Sequence, residues 1–393
     1  MNEERLRWEL HETPIAGEAA AGARALRLSR AAFEGSSPAA REPRLRRSWS
    51  LRAALVLGLV AAAISPAGAV VRHWVGDAVD SGRPPAVEGL ASLPTSGSLL
   101  VDSPRGPWVV REDGSKRLLG SYGESTWSPH GLYVATTTPR QLLAVDPSGE
   151  VRWSLARRGR IAGAAWSPDG YRVAYLDGSS LRVVAGDGTG DRELERGVSR
   201  VPPAWEPGAA RVLSFVTTSG SVRSVRAGSG RVLFEVRAGR APAQLVWSPD
   251  GGRLLVRTPT RLAVFDRDGG RLWQARAPRG SEFVASAIAA HTDRVAAVLV
   301  SKRGRRSELA LLGPGGRRVL FEGRGRFQSV AYSPDGRWLL LSWRSADQWL
   351  FINPLKPRPV EAISGIAAQF DPGTTSPPAF PTVAGWCCAA NAH

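Results

Sequence analysis

The sequence predicts an all-β protein, a β-propeller of seven four-stranded blades preceded by a single N-terminal transmembrane helix. Three observations support this prediction: a short motif that recurs about every 40 residues, β-rich runs separated by Gly- and Pro-containing turns, and one uncharged apolar segment near the N-terminus. Internal repeats of roughly 20 to 50 residues are typical of propellers and solenoids.

The recurring motif is an aromatic residue followed by Ser-Pro-Asp-Gly or a variant of it. Its copies begin at Trp127, Trp166, Trp205, Trp247, Tyr332 and Phe370. The first four are 39, 39 and 42 residues apart, and Phe370 follows Tyr332 by 38. The 85 residues between Trp247 and Tyr332 hold two periods, with a degenerate copy at residues 289–293. The motif therefore marks successive blades.

Each part of the motif has a physical role in the predicted blade. Pro fixes φ at the first corner of a type I turn, Asp caps that turn, and Gly takes the left-handed position that follows. The aromatic side chain is large enough to fill the wedge between adjacent blades. We therefore assign the motif residues to structure and not to a ligand site. The polar members of the intact copies are Asp169, Gly170, Asp250, Gly251, Asp335 and Gly336.

Domain boundaries follow from the repeat. Short, evenly spaced β-rich runs with turn residues between them predict four strands in each blade. Counting residues 91–123 as the first unit gives seven blades over residues 91–371, whereas six remain if that unit supplies only a closing strand. A linker at 72–90 precedes the propeller, and a Pro-rich tail at 372–393 follows it.

The motif at this spacing resembles the TolB-like β-propeller repeat, a relative of the WD-repeat group. The resemblance implies a propeller outside the cytoplasm that contacts proteins or peptides. The whole chain, with its basic leader and its terminal Gly385-Trp386-Cys387-Cys388, also resembles single-pass, membrane-anchored bacterial proteins that carry this propeller. That second resemblance implies no particular activity.

A membrane anchor is predicted at residues 53–71, which are 19 residues without a charge. This length is just enough for a helix to cross a bilayer core of about 30 Å. The leader at 1–52 is rich in Arg close to the segment, so the positive-inside rule places the N-terminus in the cytoplasm and the propeller outside. Trp49 and Trp74 flank the segment as interfacial anchors.

The same segment also fits an export signal. Residues 53–64 have the length of a signal-peptide apolar region, Pro66 follows, and residues 67–69 match a small-residue cleavage site. Cleavage near Ala69 would release a secreted propeller and discard a long leader. In both interpretations the propeller lies outside the cytoplasm.

The net charge of +17 does not by itself identify a partner. Almost all of it comes from Arg residues scattered along the chain, so we expect only weak attraction to anionic surfaces. Cys387 and Cys388 are adjacent and cannot link distant segments. They are interpreted as an exposed pair, with intermolecular cross-linking and metal capture as alternatives.

No catalytic, cofactor or metal motif is found, and we expect neither an enzyme nor a nucleic-acid-binding protein. His130 and His291 fall within turns of the recurring motif. Acidic turns such as residues 187–191 lack the other ligands of a calcium loop.

The predicted function is therefore a membrane-anchored binding or scaffolding module for a protein, an envelope polymer or a small ligand. Residues that could line its binding face are Arg157, Arg158, Arg240 and Arg279. The alternative is a transmembrane signalling protein, in which the propeller senses and the leader regulates a cytoplasmic factor. Deletion of residues 1–45 would abolish the second function and spare the first.

Overall fold

The structure is a computed structural model that describes residues 86–208, 211–356, 360–372 and 378–388. Within these ranges the chain forms 29 strands, a single 3-10 turn at Arg344–Ala346 and one short α-helix, α1, at Ile366–Phe370. The predicted leader and the predicted membrane helix at 53–71 lie outside the described residues. No helix in the described part of the chain has the length and apolarity needed to cross a membrane.

The strands are short and follow one another through tight turns. In chain order they are β1 (Ala86–Glu88), β2 (Ser98–Ser103), β3 (Gly106–Val110), β4 (Lys116–Leu118), β5 (Ser125–Trp127), β6 (Val134–Thr138), β7 (Gln141–Val145), β8 (Val151–Ala156), β9 (Ile161–Trp166), β10 (Arg172–Asp177), β11 (Ser180–Ala185), β12 (Arg192–Arg196), β13 (Ala204–Trp205), β14 (Val212–Val216), β15 (Val222–Arg226), β16 (Val232–Val236), β17 (Gln244–Trp247), β18 (Leu254–Arg257), β19 (Arg261–Phe265), β20 (Arg271–Arg276), β21 (Ser281–Ile288), β22 (Val295–Ser301), β23 (Arg306–Gly313), β24 (Gly316–Arg324), β25 (Phe327–Tyr332), β26 (Leu339–Trp343), β27 (Gln348–Ile352), β28 (Val360–Ser364) and β29 (Thr382–Cys387).

These strands form seven sheets. Blades 2 to 6 are β5–β8, β9–β12, β13–β16, β17–β20 and β21–β24, and in each the strands pair in chain order. Blade 7 is β25–β28, and β1 adds a fifth strand by pairing parallel with β28. Blade 1 is completed by β29, which pairs with β2 ahead of β3 and β4. The prediction of seven four-stranded blades is confirmed, and the six-blade alternative is wrong.

Strand β29 closes the ring. It is the innermost strand of blade 1, and it contacts the innermost strands of the two neighbouring blades, β5 and β25. The propeller therefore continues past the sequence-based boundary at 371, because part of the Pro-rich tail at 372–393 supplies a strand. In the structure the repeat does not end where the sequence motif ends.

The core is divided into seven hydrophobic clusters, one between each pair of neighbouring blades. Leu176 of blade 3 packs with Trp205 and Phe215 of blade 4, for example. The last cluster joins Phe351 of blade 7 to Leu99 of blade 1. Since the middle strands of a blade are covered by a blade on both sides, most of their residues are buried, as in β26, where all five are.

Candidate binding surface

The turns of the propeller form two sets at opposite ends of the strands, because antiparallel pairing reverses the chain at every turn. We call one set the anchor face: it contains the turns from the first to the second strand and from the third to the fourth strand of each blade. The other set is the loop face. It contains the turns from the second to the third strand and the connections from each fourth strand to the next blade.

The motif turns lie on the anchor face and are fastened by their own side chains. In blade 3 the hydroxyl of Ser167 donates to Oδ1 of Asp169, which also accepts the N–H of Tyr171 at 3.1 Å. The N–H of Arg172 donates to Ser167 Oγ at 2.9 Å, and Gly170 has φ +73°. Asp250 with Gly251 and Asp335 with Gly336 repeat this arrangement, with φ +68° at both glycines.

The second oxygen of each motif aspartate reaches the next blade. Oδ2 of Asp169 accepts the Nε–H of Arg211 at 3.1 Å, and Oδ2 of Asp250 accepts the N–H of His291 at 2.9 Å. Asp335 accepts the hydroxyl of Thr95 at 3.1 Å. The aspartate is thus both a turn cap and an inter-blade link.

These contacts hold the aspartates in their charged form. Burial alone would raise the pKa of Asp250, but the hydrogen bonds from Ser248, His291 and Gly252 outweigh it and lower the pKa to about 2. The same balance of burial against hydrogen bonds lowers the pKa of Asp169 and of Asp335.

The motif aromatics lie between blades. Trp166, Trp205 and Trp247 are buried, and Trp127 and Tyr332 are half-buried. Nε1 of Trp205 donates to the carbonyl of Ala165 in the preceding blade at 3.0 Å, and Nε1 of Trp247 donates to Ser214 Oγ at 3.1 Å. Burial raises the pKa of Tyr332 to about 12.

Phe370 does not occupy the anchor position that the sequence analysis assigned to it. Phe370 ends helix α1 in the connection from blade 7 to blade 1, where its ring lies 5.3 Å from that of Trp349. The anchor position of blade 1 is taken by Trp386 on β29, paired with Leu99 as Trp247 is paired with Leu254. Trp386 is buried and lies 5.7 Å from the ring of Phe351.

Cys387 and Cys388 follow Trp386 at the place of the motif's Ser-Pro. They are bonded to each other as a vicinal disulfide, and the Cys388 sulfur lies 3.4 Å from the carbonyl oxygen of Pro129 in the anchor turn of blade 2. The pair is half-buried, so the interpretation as an exposed pair is wrong.

The loop face is strongly basic. Its described connections contain fourteen Arg or Lys residues and three Glu or Asp residues. The basic residues are Arg105, Arg140, Arg157, Arg158, Arg160, Arg200, Arg237, Arg240, Arg279, Lys302, Arg303, Arg305, Arg326 and Arg344. All except Arg157 are exposed. Among the described turns and connections, most of the basic residues therefore lie on one face, although Arg looks scattered in the sequence.

Most of these cations are free of acidic partners. Arg157 pairs with Asp191, which also accepts the hydroxyl of Tyr175 at 2.7 Å. Among the described residues the other thirteen form no ion pair with a carboxylate. Of the four residues predicted for a binding face, Arg158, Arg240 and Arg279 are exposed and have no carboxylate partner in the described chain. Arg157 is half-buried and pairs with Asp191, which also pairs with Arg182.

Two concave regions lie on the loop face. The larger, of about 1240 Å³, spans blades 4 and 5 and combines Arg200, Arg237 and Arg240 with the hydroxyls of Thr218 and Ser219. The smaller, of about 710 Å³, is on blade 6. Its side chains are almost all basic: Lys302, Arg303, Arg305, Arg306 and Arg324.

Backbone hydrogen bonds hold these loops in place. The N–H of Lys302 donates to the carbonyl of Gly280 at 2.8 Å, and the N–H of Gly325 donates to that of Arg305 at 2.9 Å. On blade 2 the N–H of Arg157 donates to Arg140 at 2.9 Å. The cations therefore project from a fixed main chain.

Arg257 ends β18, next to Thr258 of the larger groove. Its Nε donates to Gln244 Oε1 at 2.8 Å and its Nη1 to the carbonyl of Phe283 at 3.0 Å. Burial lowers the pKa of Arg257 to about 10, which still leaves it protonated at neutral pH.

Comparison with known proteins gives the fold and no more. No protein-family model matches the chain, and no curated protein matches it. The chain is similar to one in the crystal structure of the mitotic checkpoint complex, with 15% identity and a TM-score of 0.52 over 68% of this chain and 94% of that chain.

Two further solved structures are similar. One is hydrazine synthase from Kuenenia stuttgartiensis, with 15% identity and a TM-score of 0.48 over 58% of this chain and 76% of that chain. The other is the β-propeller domain of Cps50 (Swd1) from Myceliophteria thermophila, with 12% identity and a TM-score of 0.47 over 62% and 86%. The fold is a β-propeller.

The blade 6 cluster was missed by sequence reasoning. Its signal is the run at residues 301–306, Ser-Lys-Arg-Gly-Arg-Arg, which places three cations in one hairpin turn and a fourth, Arg306, at the start of β23. Within the described ranges, no group of three or more His, Cys, Asp or Glu side chains is placed to hold a metal ion. Because it has exposed cations without carboxylate partners in the described chain and two concave regions, the loop face is the candidate binding surface.

Proposed function

We propose that the chain is a membrane-anchored, extracytoplasmic β-propeller of the TolB-like group that binds a partner in the cell envelope and performs no chemistry. The observation that carries this proposal is the loop face, where thirteen exposed cations have no carboxylate partner among the described residues. Unpaired charge of one sign suits the loop face to recognition of an oppositely charged partner.

The fold is compatible with partner binding. The similar chain in the mitotic checkpoint complex belongs, as that name says, to a complex. In this protein the motif aspartates are occupied as turn caps and inter-blade links, which supports a structural role for them and not an acid–base role. The loop face is the surface left for a partner.

The proposed tether is short. β1 begins at residue 86, and the predicted membrane segment ends at residue 71. The intervening chain can span at most about 50 Å when fully extended. A propeller held by that tether stays close to the bilayer, where an envelope partner would meet it.

Protease treatment of intact spheroplasts tests the proposal. We expect the propeller to be digested from outside, and a fragment that begins at residue 1 to stay in a carbonate-resistant membrane fraction. Lysed spheroplasts serve as the control for protease access. Protection of the propeller in intact spheroplasts would contradict an extracytoplasmic location. A soluble protein that begins near residue 70 would replace the anchor with the secreted form.

A further inference from the structure

The basic residues of the loop face form an open arc around the ring. Arg140, Arg158 and Arg160 lie at blade 2, Arg200 at blade 3, Arg237 and Arg240 at blade 4, Arg279 at blade 5, Lys302, Arg303, Arg305 and Arg326 at blade 6, and Arg344 at blade 7. The three acidic residues, Glu124, Asp347 and Asp371, lie in the connections around blades 7 and 1. Positive charge thus runs from blade 2 to blade 7, and between them blade 1 carries one exposed loop-face cation, Arg105, among the described residues.

The residue types in the arc favour phosphate. All members except Lys302 are arginines, whose planar guanidinium binds phosphate oxygens through two hydrogen bonds. The larger groove adds the hydroxyls of Ser199, Thr218 and Thr260, which can donate to further phosphate oxygens. Cations and hydroxyls that line the same groove match a ligand that carries several anionic groups.

The described loop-face connections lack the exposed large apolar side chains with which proteins usually bind acidic proteins or anionic membranes. The large hydrophobic side chains that are exposed, among the described residues, are Leu132, Tyr133, Val151, Tyr171, Val232, Leu272, Val319 and Leu355. None of them lies in a loop-face connection. A protein interface is usually centred on buried aromatic or aliphatic side chains, and membrane surfaces are held by inserted Trp, Phe or Leu. The loop face therefore offers a ligand mainly ion pairs and hydrogen bonds.

We infer that the loop face binds a linear polyanion with phosphate diesters in its backbone, which lies along the arc from blade 2 to blade 7. This inference rests on the proposed binding function and names the class of its ligand. The ligand's sugar, polyol or base is not contacted by an aromatic side chain, so binding depends on the phosphates and falls with salt concentration.

A matched pair of triple variants of the full chain tests the inference. The loop-face variant carries Lys302→Gln, Arg303→Gln and Arg305→Gln. The control variant carries Lys356→Gln, Arg231→Gln and Arg337→Gln, which removes the same charge from exposed residues of the anchor face. None of these six side chains forms a hydrogen bond or ion pair with another described residue. Both variants retain the basic leader, so its contribution cancels.

Binding is measured by fluorescence anisotropy with labelled poly(glycerol phosphate) and with a labelled thymidine 20-mer, at several salt concentrations. We expect the loop-face variant to bind both polymers at least tenfold more weakly at low salt, with a shallower salt dependence, and the control to stay within twofold of the parent. Tighter binding of one polymer identifies the source of the phosphate diester, and either preference supports the inference.

Four results would overturn it. These are no binding of either polymer, equal loss in both triple variants, equally tight binding of polyglutamate, and tighter binding to phosphatidylglycerol vesicles than to the polymers at equal phosphate. The third would indicate an acidic polypeptide and the fourth a membrane surface. Each of these results is compatible with the proposed envelope scaffold if the propeller is digested from outside in intact spheroplasts. The two proposals can therefore fail separately.

Discussion

The two faces of the propeller use arginine in opposite ways. On the anchor face Arg211 pairs with Asp169, Arg253 with Asp293 and Arg267 with Glu206, and each pair joins neighbouring blades. On the loop face thirteen exposed cations have no carboxylate partner in the described chain. The same residue type therefore fastens the ring at one end and leaves charge for a ligand at the other.

Acidic residues are divided in the same sense. The described anchor-face turns carry thirteen Asp or Glu residues and eight Arg or Lys residues, whereas the loop face carries three and fourteen. Asp is used at turns that need a cap, and these turns follow the first and third strands. The division teaches that the ion pairs between blades and the unpaired positive charge lie at different ends of the strands.

Loss of an anchor aromatic should have the largest effect. Trp247→Ala removes a buried side chain and its hydrogen bond to Ser214, so we expect the free energy of unfolding to fall by about 3 to 5 kcal/mol. Chemical denaturation measures the change. Leu272→Ala, at a residue 48% exposed on an outer strand, is the control and should change it by about 0.5 kcal/mol or less. Equal losses would mean that the anchors are not core.

Replacement of the Asp102 carboxyl, near the loop face, should raise the free energy of unfolding instead of lowering it. Burial raises the pKa of Asp102 from 3.8 to about 6, although Ser125 donates to it. Because the folded pKa lies above the unfolded value, the folded state loses stability as pH rises from about 4 to 6. Asp102→Asn should therefore stabilise the fold by up to about 3 kcal/mol at pH 7.5 and by little at pH 4. Unfolding at both pH values measures it, and a benefit that is independent of pH contradicts the burial argument.

Removal of a motif aspartate should have a moderate effect. Asp250→Ala deletes the turn cap and the link to His291, and we expect a loss of about 1 to 2 kcal/mol at pH 7. The folded pKa of about 2 lies below the unfolded value, so this stability is present above pH 4 and is lost as pH falls toward 2.

The control for this aspartate is Asp113→Ala. Its carboxylate accepts the N–H of Ser115 within its own turn and makes no link between blades among the described residues, so its removal should cost less stability. Urea unfolding at pH 7 and pH 3 compares the two variants. A loss at Asp250 no larger than that at Asp113 would show that the inter-blade link adds nothing.

Much of the ring could be predicted from the sequence, because each motif copy combines turn chemistry with a large aromatic. The closing blade could not. A connection of 17 residues between β28 and β29 breaks the period, so Phe370 falls at the expected spacing and Trp386 does not. Only the pairing of Trp386 with Leu99, which are far apart in sequence, identifies the true anchor.

The candidate site was harder to predict for a related reason. Arg appears throughout the chain, and its sorting onto one face becomes visible only when each turn is assigned to an end of the strands. Arg157, Arg158, Arg240 and Arg279 are predicted as polar loop positions, but nothing in the sequence alone singles them out from other arginines. That Lys302 and Arg303 join them is a consequence of the antiparallel pairing of β22 with β23.

The smallest effect should come from the loop-face cations themselves. Arg240→Gln with Arg279→Gln removes no ion pair within the described chain, so the free energy of unfolding should change by about 0.5 kcal/mol or less. Arg253→Gln, which breaks the 2.5 Å contact of Nε with Asp293, should lower it by up to about 1 kcal/mol. Because like charges repel on the loop face, added salt should stabilise the parent more than the double variant. A double variant that loses more stability than Arg253→Gln at low salt would mean that both faces use arginine for the fold.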